Sequence, residues 1–149
     1  MTPDPHNDAD LHYLEQARAA LQRVIPLSDA ASGRAAGPDV RALARDALGV
    51  QSGRLEAISA CLLAWDRPAA ADPETVATES LSGLHGTAFD RAYADQLTAH
   101  VHSSMVAARV EMVSGVSGDV RAIAEGALRA QSHQLAALDV LPWPASTQS

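Results

Sequence analysis

Two ionisable and three other polar side chains fall on the apolar faces of predicted helices. On the third predicted helix, a rotation of about 100° per residue places His100 about 60° and Glu111 about 40° from the centre of the apolar stripe. Gln51, Gln131 and Ser28 continue the apolar stripes of the helices that carry them. Because zinc and copper accept imidazole and carboxylate ligands, His100 and Glu111 could be the remnant of a site for one such ion.

A buried polar layer is the alternative interpretation of the same side chains. A zinc or copper ion needs three or four ligands, and glutamine is a poor one. Buried amides, a carboxylate and an imidazole can instead hydrogen-bond to one another between packed helices. In that case Gln51, Gln131 and Ser28 belong to a structural layer, and no metal is bound. The residues alone leave both alternatives open.

A second row on the third predicted helix contains His102, Met105, Arg109 and Met112. Two methionines could suggest a soft copper site, but methionine at helical spacing usually packs in the core, and an arginine in the row disfavours a cation. His102 also follows His100 by two residues, a spacing at which side chains point to different sides of a helix. We therefore expect neither a copper site in this row nor a chelate formed by His100 and His102.

Other kinds of site lack their signature residues. The chain has no glycine-flanked serine elbow, no phosphate-binding glycine loop and no paired Glu-x-x-His motifs of the di-iron type. Cys61 is the only cysteine, which rules out an intrachain disulfide or a thiolate cluster and suggests a small apolar packing role. We predict that the protein is not an enzyme.

Composition restricts the class of protein and its partners. The 149 residues carry a net charge of −7 and only five aromatic side chains, so a core of Leu, Val, Ile and abundant Ala is expected. An acidic chain without a basic block is a poor match for nucleic acid. No apolar run is long enough to span a membrane, and the acidic N-terminus lacks the apolar core of a signal peptide, so we expect a cytoplasmic location.

An internal repeat organises the chain. Residues 39–58 return eighty residues later as 119–138, with the same Asp-Val-Arg-Ala start, the same Ala-Leu pair and the same Gln-Ser pair. Apolar positions recur at helical spacing in both copies, which predicts one copy of the same helix in each of two related halves.

Local signals predict where the helices begin and end. Asn7 or Asp8 can cap the first helix, and Pro26 should kink or end it. Pro38 suits the first turn of the second helix, and Thr87 with Asp90 resembles a capping box for the third. Arg41 and Arg121 occupy the same place in the two repeats, which suggests a structural salt bridge to a neighbouring helix.

Together these signals predict an all-α protein, a ferritin-like four-helix bundle made of two helical hairpins with a crossover linker and a short extra helix. The expected boundaries are a disordered tail at 1–7, a single domain at 8–141 with halves at 8–66 and 87–141 around a linker at 67–86, and a tail at 142–149.

The repeated helix resembles a helix of the bacterial domain-of-unknown-function family 305 (DUF305), which reads roughly Asp-Pro-Glu-Val-Arg-Ala-Leu-Ala followed by Gln-x-x-Glu-Ile and a Met. Residues 38–44 with 51–55, and 118–124 with 131–135, match this pattern. Residues 89–93 and 108–111 also look like the family's second half. The resemblance covers about residues 11–141 and implies a ferritin-like four-helix fold. For some members it also implies handling of transition metals, particularly copper, usually outside the cytoplasm.

The residues that hold metal in such a family are mostly replaced. Each half of the family carries Met-Ile-x-His-His, whereas this chain has Val-Ile-Pro-Leu-Ser at 24–28 and keeps only His100 of the second pair. The glutamate that follows each glutamine is Arg54 in one half and Gln134 in the other. The stretch after Ser28 is also short, which predicts a clipped first helix.

Two functions follow as hypotheses. The first is a non-enzymatic bundle of the DUF305 type that binds one copper or zinc ion at a degenerate site with His100 and Glu111 as ligands, or no cofactor at all. The second is an interaction or scaffold bundle that has lost its metal site and forms a homodimer through helix packing. Neither hypothesis names a further protein partner.

Overall fold

The computed structural model describes residues 5–67 and 81–143. Its helices are α1 (Asp8–Arg34), α2 (Pro38–Ala64), α3 (Gly86–Ser114) and α4 (Gly118–Asp139). Short turns at 35–37 and 115–117 join α1 to α2 and α3 to α4, which makes two antiparallel hairpins. The predicted all-α bundle of four helices is therefore confirmed. The expected extra helix and most of the linker fall at 68–80, outside the described residues, as do the outer parts of both predicted tails.

The hairpins pack side by side around one core. α1 contacts α2 and α3, and α4 contacts α3 and α2, so each helix has a neighbour in both hairpins. Alanine, leucine and valine make up most of the buried apolar residues, as the composition predicts. The larger apolar side chains that are almost fully buried include Tyr93, Phe89, Leu14, Leu21, Ile58, Leu62, Leu81, Leu97 and Val101.

The internal repeat is visible in the packing. Residues eighty positions apart are buried together in both halves, and the matched pairs include Tyr13 with Tyr93, Val40 with Val120, Ala44 with Ala124 and Gln51 with Gln131. The offset therefore relates equivalent places in the two hairpins, and it can be used to ask where the halves differ.

Of the two outcomes predicted for Pro26, a kink or an end of the first helix, the end is wrong, and the clipping expected relative to the family stays a prediction. α1 continues to Arg34 with Pro26 inside it. Val24, Leu27 and Ala31 are all buried on either side of the proline. Their packing offsets the roughly 3 kcal/mol that a proline costs inside a helix.

The helix caps follow the prediction at α1 and depart from it at α3. Asn7 and Asp10 form a capping box, in which each side chain accepts a hydrogen bond from the other residue's backbone N–H at 2.9 Å. α3 begins at Gly86 after His85, without a side-chain cap, so the Thr87–Asp90 capping box is wrong. The carboxylate of Asp90 is used elsewhere.

Arg41 and Arg121 bind backbone carbonyls, and neither forms the predicted salt bridge with any residue that the structure describes. Arg41 Nη1 donates to the carbonyl oxygens of Ala35 at 2.9 Å and Ala36 at 3.1 Å. Arg121 Nη2 donates to the carbonyl of Met112 at 3.3 Å. Arg121 thus satisfies a carbonyl in the last turn of the preceding helix, and Arg41 satisfies two carbonyls of the turn that follows α1.

Candidate functional site

Asp10 and Asp90 hold the two halves together in a reciprocal way. The Asp10 carboxylate in α1 accepts backbone hydrogen bonds from Val116 and Ser117, both at 3.1 Å, in the turn between α3 and α4. The Asp90 carboxylate in α3 accepts from Ala36 and Gly37, both at 2.8 Å, in the turn between α1 and α2. Each half therefore fixes the turn of the other.

The sequence pattern does not single out these two aspartates as site residues. The signal that identifies them is the repeat itself, because Asp10-x-x-Tyr13 returns as Asp90-x-x-Tyr93 at the same offset of eighty residues. A match at that offset, outside the repeated helix, marks positions with an equivalent role in both halves.

The symmetry breaks beside Asp10. Glu111, which is 1% exposed, stands where the first half has the fully buried Ala31. Gly115 likewise stands where the first half has Ala35, and a Cβ atom at Gly115 would collide with the carboxyl groups of both Glu111 and Asp10. Two alanines in the first half are therefore replaced in the second half by a glutamate and by a glycine that leaves space for the glutamate.

Asp10 and Glu111 form a buried carboxyl pair that shares one proton at neutral pH. Burial, and next the hydrogen bond and negative charge of Asp10, raise the pKa of Glu111 from 4.5 to about 8, while Arg121 acts weakly in the opposite direction. Burial also disfavours charge on Asp10, but the hydrogen bonds from Glu111 and from backbone amides together lower its pKa. Protonated Glu111 thus donates to the Asp10 carboxylate.

His100 lies in a positively charged part of the bundle. Burial, and then the charges of Arg54 and Arg23, lower the pKa of His100 from 6.5 to about 4. The imidazole is therefore neutral at neutral pH, and its Nε2 atom has no hydrogen-bond partner among the described residues. The same two arginines oppose the approach of a metal cation to this nitrogen.

The structure does not bring His100 and Glu111 together, so they do not fit a site for one ion. They lie eleven residues apart on the continuous helix α3, which separates them by about 16 Å along its axis. Across residues 5–67 and 81–143, no three side chains of His, Cys, Asp or Glu are grouped as metal ligands would be. Glu111 is paired with Asp10 instead.

The predicted polar layer is only partly hydrogen-bonded, because neither amide atom of Gln51 has a partner among the described residues. Gln51 and Gln131 are each 1% exposed, and Gln131 Nε2 donates to Ser104 Oγ. Arg54 Nη2 also donates to Ser104 Oγ, at 3.4 Å. Ser28 is buried as expected, yet it bonds to Tyr93 at 2.8 Å, about 16 Å along α3 from Ser104. Ser28 is therefore outside the layer, and Ser104 and Arg54 belong to it.

A groove of about 430 Å³ lies between α1 and α3 on the outside of the carboxyl pair. Its walls are formed by Ala9, His12, Tyr13 and Gln16 of α1 and by Ser103, Val106, Ala107, Val110 and Glu111 of α3. The oxygen atoms of Glu111 are closed off from the groove, because none has measurable solvent exposure. In the part of the chain that the structure describes, no helix is long and apolar enough to cross a membrane.

Solved structures of other proteins show the same fold. A candidate secreted DUF305 protein from Streptomyces coelicolor is 19% identical, with a TM-score of 0.76 over 87% of this chain and 89% of its own. A DUF305 fragment from Deinococcus radiodurans is 14% identical, with a TM-score of 0.78 over 93% and 96%. A conserved hypothetical protein from Mycobacterium tuberculosis is 20% identical, with a TM-score of 0.70 over 89% and 96%.

No protein with a curated description matches this chain. The family whose sequence model does match is DUF305, described as a domain of unknown function, and the match covers residues 10–141. This range contains all four helices except the first two residues of α1. The resemblance carried by the repeated helix is thereby confirmed, and the chain belongs to the DUF305 family.

Proposed function

We propose that the protein is a non-enzymatic helical bundle that binds a second copy of itself through the outer face of α3. The observation that carries this proposal is a row of exposed valines, Val106, Val110 and Val113, continued by Val116 in the following turn. We call this row the valine ridge. Val113 is 87% exposed, and the other three are more than half exposed.

The valine ridge contains most of the exposed large apolar side chains of the described residues, and the fold does not require it. Of the seven large apolar side chains that are exposed in the described residues, four belong to it. At the equivalent positions of the first half the chain has small or cyclic residues, namely Pro26, Ala30, Gly33 and Ala36. Because one half folds without the valines, their exposure in the other supports a role in contact with a partner.

The shape of this face suits a second copy of the same chain. The valine ridge lies directly beside the groove between α1 and α3, so a ridge and a groove are both present on one surface. A twofold interface requires such self-complementarity, because each surface must contact its own copy. The helical part of the ridge spans only about 10 Å, well short of an interface of roughly 800 Å² per partner, so we expect weak, micromolar association.

The buried clusters support a non-enzymatic role. Asp10 is occupied by backbone hydrogen bonds from Asn7, Val116 and Ser117. The Glu111 oxygens are enclosed and face Asp10, so neither carboxyl group is available to a substrate. These groups act as parts of the scaffold.

Binding of copper or zinc is the competing hypothesis, and it has a direct test. Because Arg54 and Arg23 act on His100, we expect calorimetric titration with either ion to show no binding tighter than micromolar. Tight binding that disappears in His100→Ala would restore the metal hypothesis. Elemental analysis of protein purified without metal-affinity steps provides the complementary measurement.

Self-association is tested by sedimentation velocity from roughly 1 µM to 1 mM, the range in which a micromolar dimer forms. We expect the wild-type mass to rise from monomer to dimer, and Val110→Glu to remain monomeric. Val50→Glu is the matched control, since Val50 is an exposed valine on α2 away from the valine ridge. A wild-type monomer over the whole range, or equal effects of the two variants, contradicts the proposal.

A further inference from the structure

The middle of the bundle contains an arginine that has no acidic partner among the described residues. Arg54 is half-buried on α2, and its hydrogen bond to the Ser104 hydroxyl is long at 3.4 Å. Its Nε atom has no partner among the described residues. Burial lowers the pKa of Arg54, and the nearby Tyr13 hydroxyl offsets this only in part. A guanidinium in such surroundings is costly unless a negative charge accompanies it.

The fold itself does not require this charge. The position equivalent to Arg54 in the second half is Gln134, which is also buried and is neutral. One half of the bundle therefore packs an uncharged amide where the other places a guanidinium.

Unused hydrogen-bond donors surround Arg54. Gln51 lies one helical turn before Arg54 on the same face of α2, is 1% exposed, and has no partner for either amide atom among the described residues. Ser104 Oγ accepts from both Gln131 and Arg54, which leaves its own hydrogen free to be donated. Buried polar groups are nearly always satisfied, so these donors require an acceptor. Gln51 Oε1 and Gln131 Oε1 also lack a partner among the described residues, but neither carries the negative charge that would pair with Arg54.

The charges around the layer favour a negative occupant. Arg54 and Arg23 both act on His100, which is neutral. The carboxyl pair of Asp10 and Glu111 lies further along α3, about 10 Å from Ser104, and Arg121 is the cation that acts on Glu111. Arg54 thus carries a positive charge that no carboxylate in the described residues pairs with, whereas Arg23 is exposed to solvent.

From these contacts we infer that the polar layer binds one small inorganic anion, of the size of chloride or nitrate, through Arg54, Gln51 and Ser104. The occupant must be small because Val101 and Ala108, one turn before and one turn after Ser104 on α3, are completely buried and close the layer along the helix. α2 therefore supplies the donors of Arg54 and Gln51, and α3 supplies the Ser104 hydroxyl, which Gln131 on α4 orients by its own hydrogen bond.

Thermal unfolding in sodium chloride and in sodium gluconate at equal ionic strength tests the inference, because gluconate is too large for the layer. We expect the Tm to rise with chloride above its value in gluconate and to saturate, as it does when a ligand binds only the folded state. The 35-chlorine NMR line should broaden in the presence of the protein. Both effects should be lost in Arg54→Gln.

Two further variants keep the test decisive. Arg45→Gln removes the same charge from an exposed position of α2 and should retain the chloride effect. Gln51→Leu keeps the volume of the side chain and removes a donor, so it should weaken the effect even if Arg54→Gln fails to fold. Equal stabilisation by chloride and gluconate in the wild type overturns the inference. So does a chloride effect that Arg54→Gln and Gln51→Leu both retain.

Discussion

Glu111→Gln should remove a pH dependence of folding that the wild-type protein carries. The pKa of Glu111 is raised from 4.5 to about 8 in the folded protein. Below the lower value both folded and unfolded chains hold the proton, so the full stability is present. Between the two values the unfolded chain releases the proton while the folded chain keeps it, and stability falls as pH rises.

The magnitude follows from the size of this pKa change. Stability should fall by up to about 1.4 kcal/mol per pH unit and become level above about pH 8, a total of at most about 5 kcal/mol. Asp10 changes the stability with the opposite sign. Because its pKa is lowered, that change occurs below pH 3.8, outside the pH range in which Glu111 acts. The glutamine amide can donate to Asp10 as the protonated glutamate does, and it does not titrate.

The assay is urea unfolding followed by circular dichroism at intervals from about pH 5 to about pH 9. We expect the two proteins to be similar at the acid end, and Glu111→Gln to be more stable by several kcal/mol at the alkaline end. Glu125→Gln, at an exposed position that pairs with Arg129, should keep the wild-type slope. Parallel pH profiles of the wild type and Glu111→Gln would refute the assignment of the proton to Glu111.

Three further substitutions test the packing by equilibrium unfolding. Gly115→Ala should cost about 1–3 kcal/mol because its Cβ collides with the carboxyl groups of Glu111 and Asp10. Adding Glu111→Ala should recover part of that loss, because it removes one of the two collisions and reproduces the two alanines of the first half. A cost unchanged by the second substitution contradicts this. Asp90→Asn should cost about 1–3 kcal/mol through its two turn amides, and an unchanged midpoint would argue against that role. Tyr93→Phe should cost about 1 kcal/mol by leaving the Ser28 hydroxyl unpaired, an effect that Ser28→Ala should reduce if the pair is the cause.

The helices could be predicted because their signals are local. Apolar residues at helical spacing and a repeat at a fixed offset are both visible in the chain, and they correctly place the four helices and the burial of Gln51 and Gln131. Local rules failed for the capping box at Thr87 and Asp90, for the salt bridges of Arg41 and Arg121, and for the helix end at Pro26. There, packing on both sides of the proline outweighs its intrinsic cost, and such packing is not visible from neighbouring residues.

The site was harder to predict because it depends on distance along the helices and on contacts between halves. The angle around α3 correctly predicts that Glu111 is buried. It does not report how far apart two residues lie along the axis, and His100 and Glu111 are separated by about 16 Å in that direction. Asp10 binds the turn at 116–117, more than a hundred residues away, and Ser28 finds its partner at Tyr93. No periodicity within one helix predicts such contacts.

Differences between the two halves separate what the fold needs from what it tolerates. Asp10 and Asp90 are kept in both halves and perform the same structural role, so their presence is explained by the fold alone. Glu111, Arg54 and the valine ridge each have an uncharged or smaller equivalent eighty residues away, in a half that folds without them. A buried carboxyl pair, a buried guanidinium and an exposed apolar row are all costly for a folded chain. Because the other half of the bundle folds without these three features, the fold does not explain them, and a function of the protein is the better explanation.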